Sequence, residues 1–321
     1  MKTLSTLAIL LSMGFIVNHY IKYFVHRYDK EVGIPYYSYK DFKDFKCEDY
    51  SFTNSYGINI RYFFYYYANY KKDKTILFCH GMGPGHTAYM AEIEALARRG
   101  YKVLTLDFAG CGESGGKYLG SLNKPTRDVI DLINHLNLKE QIILMGHSMG
   151  GYTALNTLCL RKDITKVVAI SPIIQIEPLL QLNTKSKFIT KRLLHYERKV
   201  DREIFDINIP KYLENTTDDV FVIQSSDDQM VPYGMSLKVI ESIKNPHIKT
   251  KRYEGRKHNP NYTDAAISYM NSVFGKYYAL LNEKKIKTDE DRINYFKDVS
   301  LAKLVEQDEQ LFDEIVDFIE K

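Results

Sequence analysis

The chain has 321 residues, 45% of them hydrophobic and 26% charged, with a formal net charge of +4. This length is enough for one large domain with a small insertion, which we favour over two domains. The small net charge, and the absence of zinc-ribbon, RRM or helix-turn-helix signatures, exclude nucleic acid as an expected partner. The four cysteines show no CxxC pair or disulfide spacing, so we expect free thiols.

The amino-terminal segment, residues 1–28, is predicted to be a membrane anchor. An apolar run extends from Leu4 to Val17, and interfacial aromatic residues with Lys22 lengthen it toward the roughly 20 residues that span a bilayer. The alternative is a secretory signal cleaved near Ser12, although the apolar residues continue past that point. The anchor predicts a membrane-associated protein of undetermined orientation, and the signal predicts a secreted one.

The single large domain that follows, residues 45–321, begins with an antiparallel hairpin. Aromatic and β-branched residues dominate 45–66, with a turn signal in the middle. Short apolar strands then alternate with amphipathic helices. The strands are predicted at 75–79, 102–106, 141–145, 166–170, 220–224 and 248–253. This alternation predicts the α/β class, with a mostly parallel sheet covered by helices on both faces.

The pentapeptide from Gly146 to Gly150 lies between a predicted strand and a predicted helix. Strand, Gly-x-Ser-x-Gly and helix form the nucleophile elbow, a sharp turn that exposes the serine hydroxyl. Gly146 and Gly150 lack a Cβ where the strand and the helix crowd together, and Ser148 is expected in a strained backbone conformation. The motif therefore makes Ser148 the candidate nucleophile.

A glycine-rich loop, residues 80–86, follows the first parallel strand. We interpret it as an oxyanion-binding loop, in which the backbone N–H of Met82 acts together with that of Met149. The alternatives are a tight strand-to-helix turn and a phosphate-binding loop, but the loop lacks the lysine of a P-loop and the GxGxxG pattern. His80 and His86 are expected to hold the loop or face the substrate.

Acidic and basic groups for the nucleophile follow later strands. Asp107 precedes Ser148, whereas the chain order in this arrangement is serine, acid, histidine, so we assign Asp107 to a structural turn. Asp227 and Asp228 follow the strand at 220–224, and His258 follows the last strand. An imidazole can take the serine proton, and a carboxylate on its other nitrogen would set its tautomer.

Five motifs of the chain point to one family. They are His80-Gly81-Met82-Gly83, Asp107-x-x-Gly110-x-Gly112-x-Ser114, Gly146-His147-Ser148-Met149-Gly150-Gly151, Asp228-x-x-Val231-Pro232 and His258-Asn259. Together they resemble the serine α/β-hydrolases of the monoacylglycerol lipase and S33 aminopeptidase-like group, over about residues 50–260. The resemblance implies the α/β-hydrolase fold.

The same resemblance assigns roles within the site. In that family the acid stands four residues before the proline of the Val-Pro pair, which selects Asp228 over Asp227. The resemblance also implies that Met82 and Met149 are the oxyanion donors and that His258 is the base. His147 occupies the variable position of the elbow, where we expect a local structural role.

The reaction implied is hydrolysis of an uncharged acyl ester, a lipid ester among the candidates, without a metal or organic cofactor. The alternatives are an S33-type aminopeptidase or amidase and a catalytically silent scaffold that serves as a membrane-tethered binding protein. A dehalogenase or epoxide hydrolase is disfavoured, because those chemistries in this fold resemble an elbow with Asp in place of Ser148.

Two segments exceed the minimal fold. A helix-prone insertion at about 173–212 occupies the position where the family carries its cap, and an extended helical segment at about 262–321 follows the catalytic histidine. Apolar residues at helical spacing near the end of the chain predict a last helix that packs on the sheet.

Overall fold

The computed structural model describes residues 14–70, 73–138 and 140–321. These residues form one sheet of eight strands, in the order β1-β2-β4-β3-β5-β6-β7-β8. The strands are β1 (Lys46–Thr53), β2 (Asn59–Tyr66), β3 (Lys74–Cys79), β4 (Lys102–Leu106), β5 (Gln141–His147), β6 (Lys166–Ile170), β7 (Asp219–Ser225) and β8 (Ile248–Tyr253). The pairs β1/β2 and β2/β4 are antiparallel, and the remaining neighbours are parallel.

Helices cover both faces of this sheet. Residues 14–23 form α1, and the others are α2 (Met90–Ala97), α3 (Lys124–Leu136), α4 (Met149–Leu160), α5 (Ile176–Thr184), α6 (Lys187–Val200), α7 (Arg202–Phe205), α8 (Ile209–Asn215), α9 (Leu237–Glu241), α10 (Asp264–Asn282), α11 (Asp289–Phe296), α12 (Leu301–Leu304) and α13 (Glu309–Glu320). Helices α2 and α13 contribute to the core on one face, and α3, α4 and α9 to the core on the other. The predicted fold class is confirmed.

The central strands are short apolar runs because both of their faces are covered. In β5, every residue after Gln141 is buried. The parallel register brings the carboxyl ends of these strands side by side: Cys79 pairs with Gly146, and Ser225 pairs with Tyr253. The loops that follow β3, β5, β7 and β8 therefore lie along one edge of the sheet, where ligands bind in sheets of this kind.

Tertiary contacts keep the helix between β7 and β8 short. Only α9 is α-helical there, after a 3₁₀ turn at Tyr233–Met235. Ser236 interrupts the helix with a non-helical backbone, φ −135° and ψ −102°, and its hydroxyl donates to the carbonyl oxygen of Pro172 at 2.6 Å. The hydrogen bond to a distant loop outweighs the local preference for helix.

The predicted membrane anchor is wrong for the described part of its segment, residues 14–28. Within the described residues no helix is long and apolar enough to cross a membrane. Tyr20 and Val25 are buried against the domain, with 5% and 0% of their surface exposed, and the Tyr20 hydroxyl donates to Glu197 of α6 at 2.6 Å. The predicted signal-cleavage position near Ser12 lies outside the described residues.

Further contacts attach the same segment to a loop of the sheet edge. The guanidinium of Arg27 donates to the carbonyl oxygens of Gly112, Ser114 and Gly116 at 2.8 to 3.0 Å. Tyr28 exchanges backbone hydrogen bonds with Gly110 and Gly112, each at 2.9 Å. Tyr20 and Val25 therefore face the protein's own core, and a hydrophobic run alone could not distinguish that partner from lipid.

The carboxyl-terminal helix packs on the sheet as predicted. In α13, Leu311, Phe312 and Ile315 are fully buried, and Phe318 contacts the ring of Phe221 in β7 at 5.5 Å between centroids. Helices α5 to α8 lie between β6 and β7, where the cap insertion was predicted.

Candidate active site

The elbow forms at the end of β5. Ser148 has φ 56° and ψ −117°, a backbone conformation that non-glycine residues rarely adopt, in agreement with the strain expected of the motif. The turn is held by β6 and the loop after it: the Ser148 N–H donates to the Ile170 carbonyl at 2.8 Å, and the Ile173 N–H donates to the Ser148 carbonyl at 3.4 Å. Ser148 itself is half-buried, so its side chain lies between the core and the surface.

Two positions of the elbow have no room for a side chain and require glycine. A Cβ on Gly146 would lie 2.2 Å from the carbonyl oxygen of Gly150, and a Cβ on Gly150 would lie 1.9 Å from that of Cys79. Both distances are far below van der Waals contact. Helix α4 can therefore approach β5 and the end of β3 only without side chains at these positions.

The predicted oxyanion loop lies against the elbow. Cys79 and Gly146 are register partners, and Met82 and Met149 each follow three residues later. A Cβ on Gly81 would lie 3.2 Å from the His147 carbonyl, which shows how closely the loop packs on the turn. Met149 is the first residue of α4, where backbone N–H groups lack partners within the helix. The role of Met82 and Met149 as donors to an oxyanion stays a prediction.

His258 and Asp228 form a direct pair. The Nδ1 atom of His258 lies 2.8 Å from Oδ2 of Asp228, whose side chain is completely buried. Three further donors point at this carboxylate: the N–H groups of Met230 and Val231 at 2.9 and 3.0 Å, and the amide of Gln224 at 3.2 Å. Such an array fixes the carboxylate and favours the Nδ1-protonated form of the imidazole.

The adjacent Asp227 binds groups of the neighbouring loops and does not contact the histidine ring. It accepts hydrogen bonds from the Ser225 hydroxyl at 2.5 Å and the Gly255 N–H at 3.1 Å, and it forms an ion pair with Lys257 at 3.1 Å. Partial burial alone would raise the pKa of Asp227, but the donors of Ser225 and Lys257 hold it below its usual value. Asp227 therefore braces the loop, while Asp228 contacts the histidine.

Ser148 is connected to this pair through its neighbour. Among the described residues, no hydrogen bond joins the Ser148 hydroxyl to His258. The ring of His147, however, lies 4.7 Å from the ring of His258 between centroids, and His147 Nε2 is 2.8 Å from the His258 carbonyl oxygen. Catalytic hydrogen bonds are often long before a substrate binds. The structure thus joins two of the predicted residues directly and places His147, the neighbour of the third, against His258.

The other histidines near the sheet edge are loop-holding residues. The buried His80 accepts from the Phe108 N–H through Nε2 at 3.1 Å, so its Nδ1 donates to the Gly81 carbonyl at 2.6 Å. Burial lowers the pKa of His80 to about 4, which keeps the ring neutral. His86 donates to Asp107 from both its backbone N–H and its Nδ1, at 2.7 and 2.8 Å.

Asp107 is buried in the structural turn predicted for it. It also accepts from the Glu113 N–H at 2.7 Å. Burial by itself would raise the pKa of Asp107, but the interactions with His86 and the Glu113 N–H hold it below its usual value. The Asp107 carboxylate therefore joins the loop of His86 to the loop of Glu113, and it does not contact His258.

The loop that carries His258 is also held from its far side. The Thr263 N–H donates to Glu306 at 3.0 Å, and the side-chain amide of Asn261 donates to Gln307 at 2.9 Å. Arg256 bridges Asp264 at 2.9 Å and the carboxylate of Asp308. The extended carboxyl terminus therefore contacts the histidine loop, a contact that the sequence did not predict.

Sequence reasoning missed several residues that support the site. Tyr89 donates to His147 Nδ1 at 2.9 Å. The Tyr28 hydroxyl, which donates to the Phe24 carbonyl oxygen at 2.6 Å, lies 2.9 Å from the sulfur of Met82. Gln224 joins Asp228 to the loop after it, and also accepts from the Leu237 N–H at 3.0 Å. Only one kind of sequence signal was available for such residues, namely a polar residue next to a predicted site residue in the chain, as His147 is next to Ser148. Tyr28 and Tyr89 carried no such signal, because folding brings them there from other segments.

Residues 70–204 match the family model described as serine aminopeptidase, S33. Among curated proteins, the chain is 26% identical over 215 residues to "Putative carbamate hydrolase RutD" of Agrobacterium fabrum, covering 53% of this chain and 80% of that protein. It is 32% identical over 96 residues to an epoxide hydrolase of Caballeronia sordidicola, covering 29% of each. The second match thus spans less than a third of that relative.

Solved structures agree with the fold. The Pyrococcus furiosus esterase Pf2001 superposes with a TM-score of 0.57 at 23% identity, covering 85% of this chain and 97% of that one. At this level of identity the likeness concerns the arrangement of strands and helices.

Proposed function

Because the chain belongs to the α/β-hydrolase superfamily, and to its S33 group, we propose that it is a serine hydrolase that cleaves carboxylic esters through Ser148, His258 and Asp228. The observation that carries this proposal is the 2.8 Å contact between His258 Nδ1 and Asp228, next to a strained serine at an elbow. An imidazole held on one nitrogen by a buried carboxylate is the base that a serine nucleophile requires.

In this reaction, Ser148 Oγ attacks the ester carbonyl carbon while its proton passes to Nε2 of His258. The negative charge that develops on the carbonyl oxygen is stabilised by the N–H groups of Met82 and Met149. The imidazolium, stabilised by Asp228, then protonates the departing alkoxide. Water, deprotonated by the same imidazole, then attacks the acyl carbon. The bond from this carbon to Ser148 Oγ breaks, the imidazolium returns its proton to Oγ, and the carboxylic acid leaves.

An aminopeptidase or amidase is the second candidate, because the family model that matches carries that description. An aminopeptidase also has to bind the substrate's ammonium group, for which a carboxylate is the usual partner. Both carboxylates of the loop after β7 are already engaged, Asp228 with His258 and Asp227 with Lys257. This engagement supports an ester as the preferred substrate.

Epoxide opening by the elbow residue is disfavoured despite the short match to an epoxide hydrolase, because that position here is Ser148 rather than Asp. A serine hydroxyl, paired with a general base, is suited to acyl transfer.

A fluorophosphonate probe tests the nucleophile. Wild-type protein should be labelled covalently at Ser148, and Ser148→Ala should lose both the label and the activity. Release of p-nitrophenol from short and medium acyl esters, compared with release from aminoacyl anilides, distinguishes the two candidates. Faster turnover of the anilides would establish the amidase, and undiminished ester hydrolysis by Ser148→Ala would refute the proposed mechanism.

A further inference from the structure

We propose that His147, the residue before the nucleophile, is a positioning residue that anchors the main chain of His258. This inference rests on the proposed function, since it assigns a role to a residue that acts through the catalytic base. It is carried by a chain of three contacts that runs from the oxyanion loop through Tyr89 and His147 to His258.

The contact with His258 is made to its backbone. His147 is 6% exposed, and its Nε2 lies 2.8 Å from the carbonyl oxygen of His258, with the two rings 4.7 Å apart between centroids. The pair Asp228–His258 restrains one nitrogen of the imidazole but leaves the ring free to pivot about that hydrogen bond. A second restraint on the same residue, from the elbow itself, limits this movement and fixes the base relative to Ser148.

The partners of His147 determine its tautomer. A carbonyl oxygen can only accept, so Nε2 of His147 carries the proton and donates it to His258. Nδ1 then has a free lone pair, and the Tyr89 hydroxyl donates to it at 2.9 Å. Burial and the nearby Glu92 raise the pKa of Tyr89, which keeps its hydroxyl protonated as this arrangement requires.

Tyr89 joins this pair to the oxyanion loop. A Cβ on Gly81 would lie 2.4 Å from the Tyr89 hydroxyl and 3.4 Å from His147 Nδ1. One hydroxyl therefore lies against the loop of Met82 on one side and against the elbow histidine on the other. Through Tyr89 and His147, the positions of the oxyanion loop, the nucleophile and the base depend on each other.

The neutral state of His147 suits a place beside the catalytic base. Burial, and then the proximity of His258, lower the pKa of His147 to about 3. When His258 takes up the serine proton it becomes a cation, and a second cation 4.7 Å away between ring centres would oppose that step. A neutral donor holds the backbone without this repulsion.

Two substitutions that differ in reach test the proposal. The amide nitrogen of Gln lies near the position of Nε2 in histidine, whereas that of Asn lies near Nδ1. His147→Asn should lower kcat for ester hydrolysis roughly 10- to 100-fold, a fall typical of a displaced catalytic group, with KM changed much less. His147→Gln can still donate to His258, so it should recover most of kcat. His247→Asn, at the opposite end of the sheet, is the matched histidine control and should keep wild-type kcat.

The outcomes separate the two proposals. Loss of activity in Ser148→Ala together with wild-type kcat in His147→Asn would overturn the positioning role and leave the hydrolase assignment intact. Undiminished activity in Ser148→Ala would instead remove the hydrolase assignment. Equal losses of kcat in His147→Asn and His147→Gln, at equal melting temperatures, would also contradict the role. The position of the amide nitrogen, and so its ability to donate to His258, would then not matter. If His147→Asn does not fold, Tyr89→Phe replaces it: a several-fold lower kcat supports the proposal, and an unchanged kcat overturns it.

Discussion

The backbone N–H of Asp308 donates to the carbonyl oxygen of Asn261 at 2.8 Å, which joins the start of the last helix to the loop that carries His258. The same aspartate caps α13, since its side chain accepts from the Leu311 N–H at 3.1 Å. Helix α13 is in turn buried against the sheet. The extended carboxyl terminus therefore supports both the core and the loop of the proposed base.

Arg256→Ala tests this support. The arginine side chain is 13% exposed and joins Asp264, Asp308 and the carbonyl of Pro260 across the base of the histidine loop. Its removal takes the ion-pair partner from the partly buried Asp308, so we expect a loss of about 2 kcal/mol in the free energy of unfolding and a lower kcat. Urea denaturation and ester hydrolysis measure the two effects.

Arg252→Ala is the control for that loss. Arg252 lies in β8, its side chain is 54% exposed, and its nearest carboxylate is 3.8 Å away. Exposed pairs of this kind contribute less than about 1 kcal/mol. Equal destabilisation by the two substitutions would contradict a special role for Arg256.

Asp228→Asn should reduce kcat/KM by roughly 10³- to 10⁴-fold, as removal of this charge does in other serine triads. An Asn amide group at the position of Oδ2 would face two other donors, His258 Nδ1 and the Gln224 amide, which both contact Oδ2 in the wild type. The Nδ1-protonated form of the imidazole would then no longer be favoured. Asp227→Asn alters the adjacent carboxylate, which contacts Lys257 instead, and should keep most of the activity. Steady-state kinetics with a p-nitrophenyl ester compares them, and a larger effect at Asp227 would reverse the assignment.

Gly150→Ala and Gly275→Ala should change stability in opposite directions. Both glycines are helical, but a Cβ at Gly150 meets the Cys79 carbonyl at 1.9 Å, whereas a Cβ at Gly275 meets nothing within 4 Å. The first substitution should destabilise the protein by about 3 kcal/mol or prevent folding. The second should stabilise it by about 0.5 to 1 kcal/mol, because alanine favours the helix. Thermal or urea denaturation checks both signs.

The stability of the protein should decline as pH rises from about 4.5 to 7. Burial, outweighing the hydrogen bond from Asn261, raises the pKa of Glu92 from 4.5 to about 7. In this window the unfolded chain has lost the Glu92 proton while the folded protein retains it. The unfolded state then binds fewer protons, and the free energy of unfolding falls with pH by up to roughly 1.4 kcal/mol per unit for this one group.

Glu92→Gln isolates that contribution. The amide has no proton to release in this range, so the variant should show a flatter dependence of unfolding free energy on pH than the wild type. The buried Asp128, whose pKa is also raised to about 7, is present in both proteins and cancels in the difference. Parallel curves for wild type and variant would show that Glu92 does not titrate in this window.

Much of this molecule follows from patterns that are local in the chain. The bounds of β4, β6 and β8 agree with the prediction to the residue. For β4 and β6 the reason is that short apolar runs between turns have few other ways to be buried. The strain at Ser148 was predictable from its place between Gly146 and Gly150. The pairing of His258 with Asp228 rather than Asp227 agrees with the spacing to Pro232 that the family resemblance supplied.

Other features depend on partners that are distant in sequence. The apolar run that extends to Tyr20 and Val25 suggested a membrane, but these two side chains are buried against the protein, and hydrophobicity does not identify the surface that covers it. The link from Tyr89 through His147 to His258 joins three segments whose spacing carries no common signal. Short-range preferences depend on neighbouring residues, which is why the strands and the turn of the elbow could be predicted from the sequence. Which buried groups meet across the fold depends on the packing of the whole chain, and only that packing brings His147 against the backbone of His258.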